Sequence, residues 1–347
     1  MITGVVALYG LANGLLLNAT PQISLALNLS SRELGLIGAG IPMGYALSCL
    51  ICGQIFARIP GKYVLLCGLS VAAVSLIVMS TARGAGLCVA AQIGFGLGSG
   101  AFWPFASAWL LDFQAEGIAK TRLLRHYNVA WTSATAAGMF AGGVLCQHLY
   151  IREAIYAAIA CVGLAFALAF APKATPPGHI DEGGSEAGGQ ALPRLGFGIL
   201  LAAILVNLAA LGTRTVILTN YAELNSVAGF GADRMGLIAG TSLVAQLGAF
   251  TVGALYERWL GMRRIYIAMG LGLLCVNLIF AFSTELPLLL GAVMIHGFVL
   301  ALAFQSGLLA AMHFFSSPRT GTTFHEAVVG AAGLSPLLGG VLVTQLK

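Results

Sequence analysis

Apolar residues follow one another in stretches of about twenty or more along almost the whole chain, each bounded by short polar turns. Eleven stretches are long enough to cross ~30 Å of hydrocarbon as helices. They fall near residues 3–27, 34–56, 62–81, 86–110, 128–149, 152–171, 195–221, 235–256, 264–282, 286–314 and 321–345. One long break interrupts them, from Pro172 to Pro193, rich in Pro and Gly and holding Asp181, Glu182 and Glu186. Such a segment cannot bury apolar area and reads as a flexible linker. The pattern predicts an all-α, polytopic membrane protein in two bundles: helices 1–6 over residues 1–171, a linker over 172–194, and helices 7–11 over 195–347.

Composition strengthens this reading. Of 347 residues, 59% are hydrophobic and only 8% charged, and the mean hydropathy is +0.92. A soluble domain carries about 25% charged residues, so this chain cannot cover a water-facing surface of its own size. The net charge of +5 is modest and unevenly placed. Eleven Lys and Arg residues fall on the linker side and five on the other, with Arg214 inside a span. The positive-inside rule then puts the N-terminus and linker in the cytoplasm, in a plasma membrane or a bacterial inner membrane. The charge thus speaks for membrane orientation and not for nucleic acid. The first apolar run lacks a basic n-region and a cleavage pattern, so no signal peptide is expected. All seven cysteines lie in apolar runs and read as packing residues, including the pair Cys49 and Cys52. No metal or other cofactor is expected.

The two halves repeat each other. Gly53, Arg58 and Gly61 in the loop after span two match Gly253, Arg258 and Gly261 after span eight, offset by 200. Upstream, Gly35-Leu36-Ile37 matches Gly236-Leu237-Ile238 at an offset of 201. Gly138 to Gly143 in span five matches Ser335 to Gly340 in span eleven at an offset of 197. Parallel repeats joined by a cytoplasmic linker are the layout with which two bundles alternate access to a midplane site.

These residues carry a resemblance to the major facilitator superfamily. Gly53 to Lys62 resembles its signature loop between the second and third helices, and Gly253 to Arg264 resembles the second-half copy. Gly138 to Gly143 and Ser335 to Gly340 resemble its Gly/Pro-rich motif in the fifth and eleventh helices. The resemblance implies conformational gating by Gly53, Arg58, Gly61, Gly253, Glu257 and Arg258. Three features depart from the family pattern. Ala57 stands where an acidic residue is usual, Pro60 replaces a Gly, and eleven spans are seen where the family has twelve.

Polar groups at bilayer depth are costly and are site candidates by default. Arg214, deep in span seven, is expected either to clamp an anionic or carbonyl group of a solute or to snorkel to the outer interface. Its repeat equivalent is Asn13, followed by Asn18. His325-Glu326 in span eleven is the one intramembrane pair with a carboxylate. It either takes up a proton as coupling ion or forms an ion pair with Arg319. Its repeat position is Asn128, which shares a helical turn with Tyr127 and Trp131. Trp103, Gln92, Gln246, His296 and Gln305 complete the candidate cavity, and each serves equally well in helix–helix hydrogen bonding or packing. The Gly94 to Gly100 run is a packing stripe, since no strand precedes it. No nucleophile elbow, P-loop or H-E-x-x-H occurs, so an enzyme lacks its usual groups.

The leading expectation is a secondary transporter of a small organic solute through the bilayer, with protons as a coupling ion. The alternative is a non-transporting or truncated relative.

Overall fold

The computed structural model describes residues 1–55, 59–112, 119–171, 196–252, 262–315 and 318–337. Its eleven helices are α1 (Ile2–Ala26), α2 (Ser31–Ile55), α3 (Gly61–Ser80), α4 (Ala85–Asp112), α5 (Ala119–His148), α6 (Ile151–Phe170), α7 (Phe197–Ala228), α8 (Ala232–Val252), α9 (Arg263–Phe282), α10 (Leu286–Phe314) and α11 (Pro318–Ala332). Helices are forced on such a sequence, because hydrocarbon offers no partner for a free N–H or C=O. Among the described residues, nine helices are long and apolar enough to cross a membrane by length and composition alone. The elements expected from the hydropathy pattern are therefore all present as helices.

Local chemistry fixes their ends. Ser30 and Glu33 close a capping box at the start of α2: the Glu33 carboxylate accepts from the Ser30 amide at 2.9 Å and from its hydroxyl at 2.7 Å. Asn28, with φ 53°, turns the chain after α1.

Two ends depart from the hydropathy pattern. Helix α7 runs on past residue 221 to Ala228, because no Gly or Pro interrupts it before Gly229, whose φ of +65° stops it. The eleventh span is not one continuous helix. It turns at Gly333–Leu334 and resumes over 335–337, since Pro336 has no N–H to give the preceding turn.

Helices α6 and α7 meet the linker at one end of the bundle, the linker end. The turns 27–30, 81–84, 229–231 and 283–285 lie at the opposite, distal end. Helices α1 to α6 pack chiefly on one another, with α2 and α3 against α4 and α1 against α5 and α6. In the second group α10 packs against α7, α8 and α9. One large apolar cluster fills the first group, from Val5 and Tyr9 through Leu69 and Phe102 to Val162. Two smaller ones, around Leu273 and around Met235, fill the second.

The groups join along two seams, α5 against α8 and α2 against α11. Glycine makes the α5–α8 seam possible. A Cβ on Gly143 would stand 2.9 Å from the Ala232 carbonyl oxygen and 3.1 Å from the Gly236 Cα, so the backbones touch directly. At the distal end of this seam the Gln147 side-chain oxygen accepts from the Ala232 amide at 2.9 Å, capping α8 from the other half.

Candidate functional site

Arg214 lies about 26 Å along α7 from Phe197 at 1.5 Å per residue, close to the middle of this long helix. Its side chain does not end in a cluster of carboxylates: among the described residues it has no hydrogen-bond acceptor and no ion-pair partner. It lines a small cavity with Met139 of α5, Ile238, Ser242 and Leu243 of α8, and Val293 and His296 of α10. The cavity holds about 20 Å³, room for one or two waters. A solute enters such a space only when the surrounding helices part.

His296 forms the wall beside Arg214, and its ring is fixed on both sides. Nε2 lies 3.0 Å from the Ala210 carbonyl oxygen, which can only accept, so the ring proton sits there. Nδ1 then accepts from the Ser242 hydroxyl at 3.1 Å. This imidazole thus ties α8 to α7 next to the Arg214 guanidinium. Gln246, one turn from Ser242 on α8, is buried with its side-chain oxygen unpartnered. From the first half Asn18 reaches the same seam, donating to the Met139 carbonyl at 3.3 Å and leaving its own oxygen free.

A second polar group lies nearer the linker end. Glu326 of α11 accepts a 2.5 Å hydrogen bond from the Tyr45 hydroxyl on α2, a contact between the two halves. His325 Nδ1 stands 3.6 Å from the other carboxylate oxygen. On its far side His325 Nε2 accepts from the Asn207 amide of α7 at 3.0 Å, which leaves the ring proton on Nδ1, toward Glu326. Phe304 packs edge-on against the imidazole, with centroids 4.8 Å apart. Tyr45, Glu326, His325 and Asn207 therefore form one polar chain from α2 through α11 to α7.

The aromatic candidates gather separately, in the first half. Trp103 packs edge-on against Tyr9 at 5.3 Å and Trp131 at 5.9 Å, and it accepts from the Tyr127 hydroxyl through its carbonyl at 3.3 Å. Trp131 donates to Asn128 at 3.1 Å and meets Phe250 of α8 across the seam, with centroids 6.2 Å apart. Gln92 is turned inward, donating to Thr20 at 2.6 Å. Asn13 and Gln305 are half-buried and make no hydrogen bond to other described residues.

Of the gating residues, Gly53 falls in the last turn of α2, and Gly61 opens α3 beside Phe105. Arg58, Gly253, Glu257 and Arg258 lie outside the described residues. Sequence reasoning missed Tyr45 and Ser242, uncharged polar groups on otherwise largely apolar helices. Their one signal is the neighbouring helix-packing glycine, Gly44 for Tyr45 and Gly240 for Ser242.

Two groups of long apolar helices, meeting along glycine-lined seams and enclosing a cation, a carboxylate and two histidines, have the build of an integral membrane transporter. The chain belongs to the Major Facilitator Superfamily, whose family model matches residues 2–344. Solved structures share the fold. The nucleoside transporter NupG matches with a TM-score of 0.78 at 12% identity, over 100% of this chain and 91% of that one. A bacterial homolog of the human lysosomal transporter Spinster, inward-facing and unoccupied, matches at 0.73 with 14% identity, over 99% and 81% of the two chains. The human organic anion transporter MFSD10 (TETRAN) matches at 0.66 with 18% identity, over 98% and 91%. At these identities the likeness is one of fold. No curated protein matches the chain significantly.

Proposed function

We propose that the chain is a secondary transporter that moves a small organic anion by alternating access, with proton coupling through Glu326 and His325. The observation that carries this reading is Arg214, a guanidinium within the seventh apolar span that lines a cavity at the seam of the two halves and has no countercharge among the described residues there. An unpaired charge at that depth is expensive, and an anionic solute would supply the missing partner through two parallel hydrogen bonds. Ser242, Gln246, Asn18 and Asn13 would offer further contacts to the solute, and the Trp103–Trp131 wall would close the first-half side. The Glu326 carboxylate, placed between Tyr45 and His325, is the group able to load and release a proton. By the Lys and Arg distribution, the linker end would face the cytoplasm. The resemblance to an organic anion transporter is in keeping with this substrate class.

The test is solute uptake with simultaneous pH recording in proteoliposomes, across organic acids, sugars, amino acids and drugs. Uptake confined to anions, with proton movement lost in Glu326→Gln, is the expected outcome. Uptake of neutral solutes alone would remove Arg214 from the site. Silence across the panel in both directions would favour a non-transporting relative, the reading to which the altered signature loop with Ala57 points.

A further inference from the structure

The repeat that relates the halves also relates two of their outer helices. At the offset of 201, Lys62 of α3 becomes Arg263 of α9, Leu66 becomes Ile267 and Leu69 becomes Gly270. In the first half α6 packs on α1 and on α3, and these α3 positions are closed. Leu66 is 8% exposed and Leu69 is fully buried. Lys62 is buried with them. Its ammonium donates to the Phe170 carbonyl, at the linker end of α6, at 3.0 Å and stands 5.9 Å from the centroid of the Phe170 ring. In the second half α7 and α9 pack on each other, and no described helix lies on them as α6 lies on α1 and α3. Ile267 is 62% exposed, and a Cβ on Gly270 would meet nothing within 4 Å. Gly4 of α1, whose Cβ would lie 4.0 Å from Leu168 of α6, becomes Leu205 of α7, which is 55% exposed. An apolar groove therefore runs along α7 and α9, open among the described residues.

At its linker end the groove meets two cations. Arg263 and Arg264 are exposed and form no hydrogen bond or ion pair with another described residue. Their first-half equivalents are Lys62 and Tyr63, so one ammonium has given way to two guanidinium groups. Lys62 answers the last carbonyls of a helix, which carry about half a charge. Two adjacent guanidinium forks suit an oxyanion of full charge, such as a phosphate. No Asp or Glu occurs in the first two turns of α7 or α9 to attract the ammonium of a zwitterionic headgroup. From Arg263 to Leu274, α9 rises about 16 Å, half of the ~30 Å thickness of the hydrocarbon. Ile267, Gly270 and Leu274 line that depth on α9, and Leu205 does so on α7. We infer that this groove is a binding site for one anionic phospholipid, with its phosphate on Arg263 and Arg264 and its acyl chains over Ile267, Gly270 and Leu274. The site shares no lining residue with the Arg214 cavity except through α7 as a whole, and the inference stands whether or not the chain transports a solute.

Native mass spectrometry of the purified chain in detergent, with phosphatidylglycerol or phosphatidylcholine added, tests the site. Wild type should retain one phosphatidylglycerol at concentrations about tenfold or more below those needed for phosphatidylcholine. The double variant Arg263→Gln/Arg264→Gln should bind the two lipids within about threefold of each other. Arg152→Gln, which removes an exposed cation at the distal end, should keep the wild-type preference. Gly270→Trp fills open space, so it should leave Tm unchanged while weakening both lipids. Phosphatidylglycerol carrying a photoreactive group at mid-chain should label the α7 and α9 peptides that hold Leu205 and Leu274. A preference undiminished in the double Gln variant, or a label confined to other helices, would overturn the lipid site. A second copy or another polypeptide bound to the wild-type chain and released by Gly270→Trp, with lipid binding unchanged, would give the groove to a helix and overturn it as well.

Discussion

The two halves are built on one plan and do different chemistry. In α1 and α5, Gly138 lies against the Leu11 carbonyl and Gly14. In α7 and the segment after α11, Ser335 donates to the Gly212 carbonyl at 3.0 Å and shares a 2.7 Å hydrogen bond with Thr215. These are the same positions: Leu11 and Gly14 become Gly212 and Thr215 at the offset of 201, and Gly138 becomes Ser335 at 197. Around this shared joint the first half is apolar and aromatic. Tyr9 stacks on Phe102 with centroids 4.1 Å apart and spends its hydroxyl on Ser99 at 2.8 Å. The second half places Arg214 where the first has Asn13, and His325 where the first has Asn128. In the proposed mechanism duplication would supply two bodies that rock. Arg214 and Glu326, both in the second half, would then work against the first.

That division can be broken experimentally, and the expected effects fall in order of size. Glu326→Gln removes the carboxylate that Tyr45 and His325 face, so uphill accumulation driven by a pH gradient should vanish while solute exchange at equal pH persists. Gly143→Leu would put a side chain into backbone contact at the α5–α8 seam; uptake should fall roughly tenfold or more through overpacking, with insertion normal by surface labelling. Tyr45→Phe keeps the ring but removes the donor to Glu326, a charge-assisted bond worth about 1.5–3 kcal/mol. Uptake should drop several-fold and its pH profile should move, a change that loss of packing alone would not produce. Tyr9→Phe removes a buried hydroxyl bound to Ser99 and not to a charge; it should cost about 1 kcal/mol in thermal unfolding and leave transport near wild type. A Tyr9→Phe defect as deep as that of Tyr45→Phe would remove the distinction between a packing hydroxyl and one that bonds Glu326.

The scaffold was legible because hydrocarbon leaves few choices. Runs of about twenty apolar residues must be helices, and the offsets of 200, 201 and 197 show the duplication directly. Helix ends were less legible. The tail of α7 beyond residue 221 is polar yet helical, and Pro336 breaks an apolar run that hydropathy alone reads as continuous. Within the site, cost exposes Arg214, Glu326 and His325, since charge at that depth stands out against its neighbours. Their partners stay hidden, because Tyr45 reaches Glu326 from a helix 281 residues earlier in the chain. Nothing in α2 alone marks its hydroxyl as a contact between halves. For the same reason Trp103, Trp131 and Asn128 could be seen to be unusual, yet not to form a wall apart from the Arg214 cavity.

The most direct test of the Arg214 assignment compares two symmetry-related truncations in one assay. Uptake of labelled organic anions into proteoliposomes would be measured for wild type, Arg214→Ala and Asn13→Ala, each checked for insertion and monodispersity. Loss of uptake by about a hundredfold or more in Arg214→Ala, with Asn13→Ala within about threefold of wild type, is the expected result for a buried charge pair against a single neutral hydrogen bond. Anion uptake by Arg214→Ala at the wild-type rate would contradict it, and would move the solute site away from the α7–α8–α10 cavity.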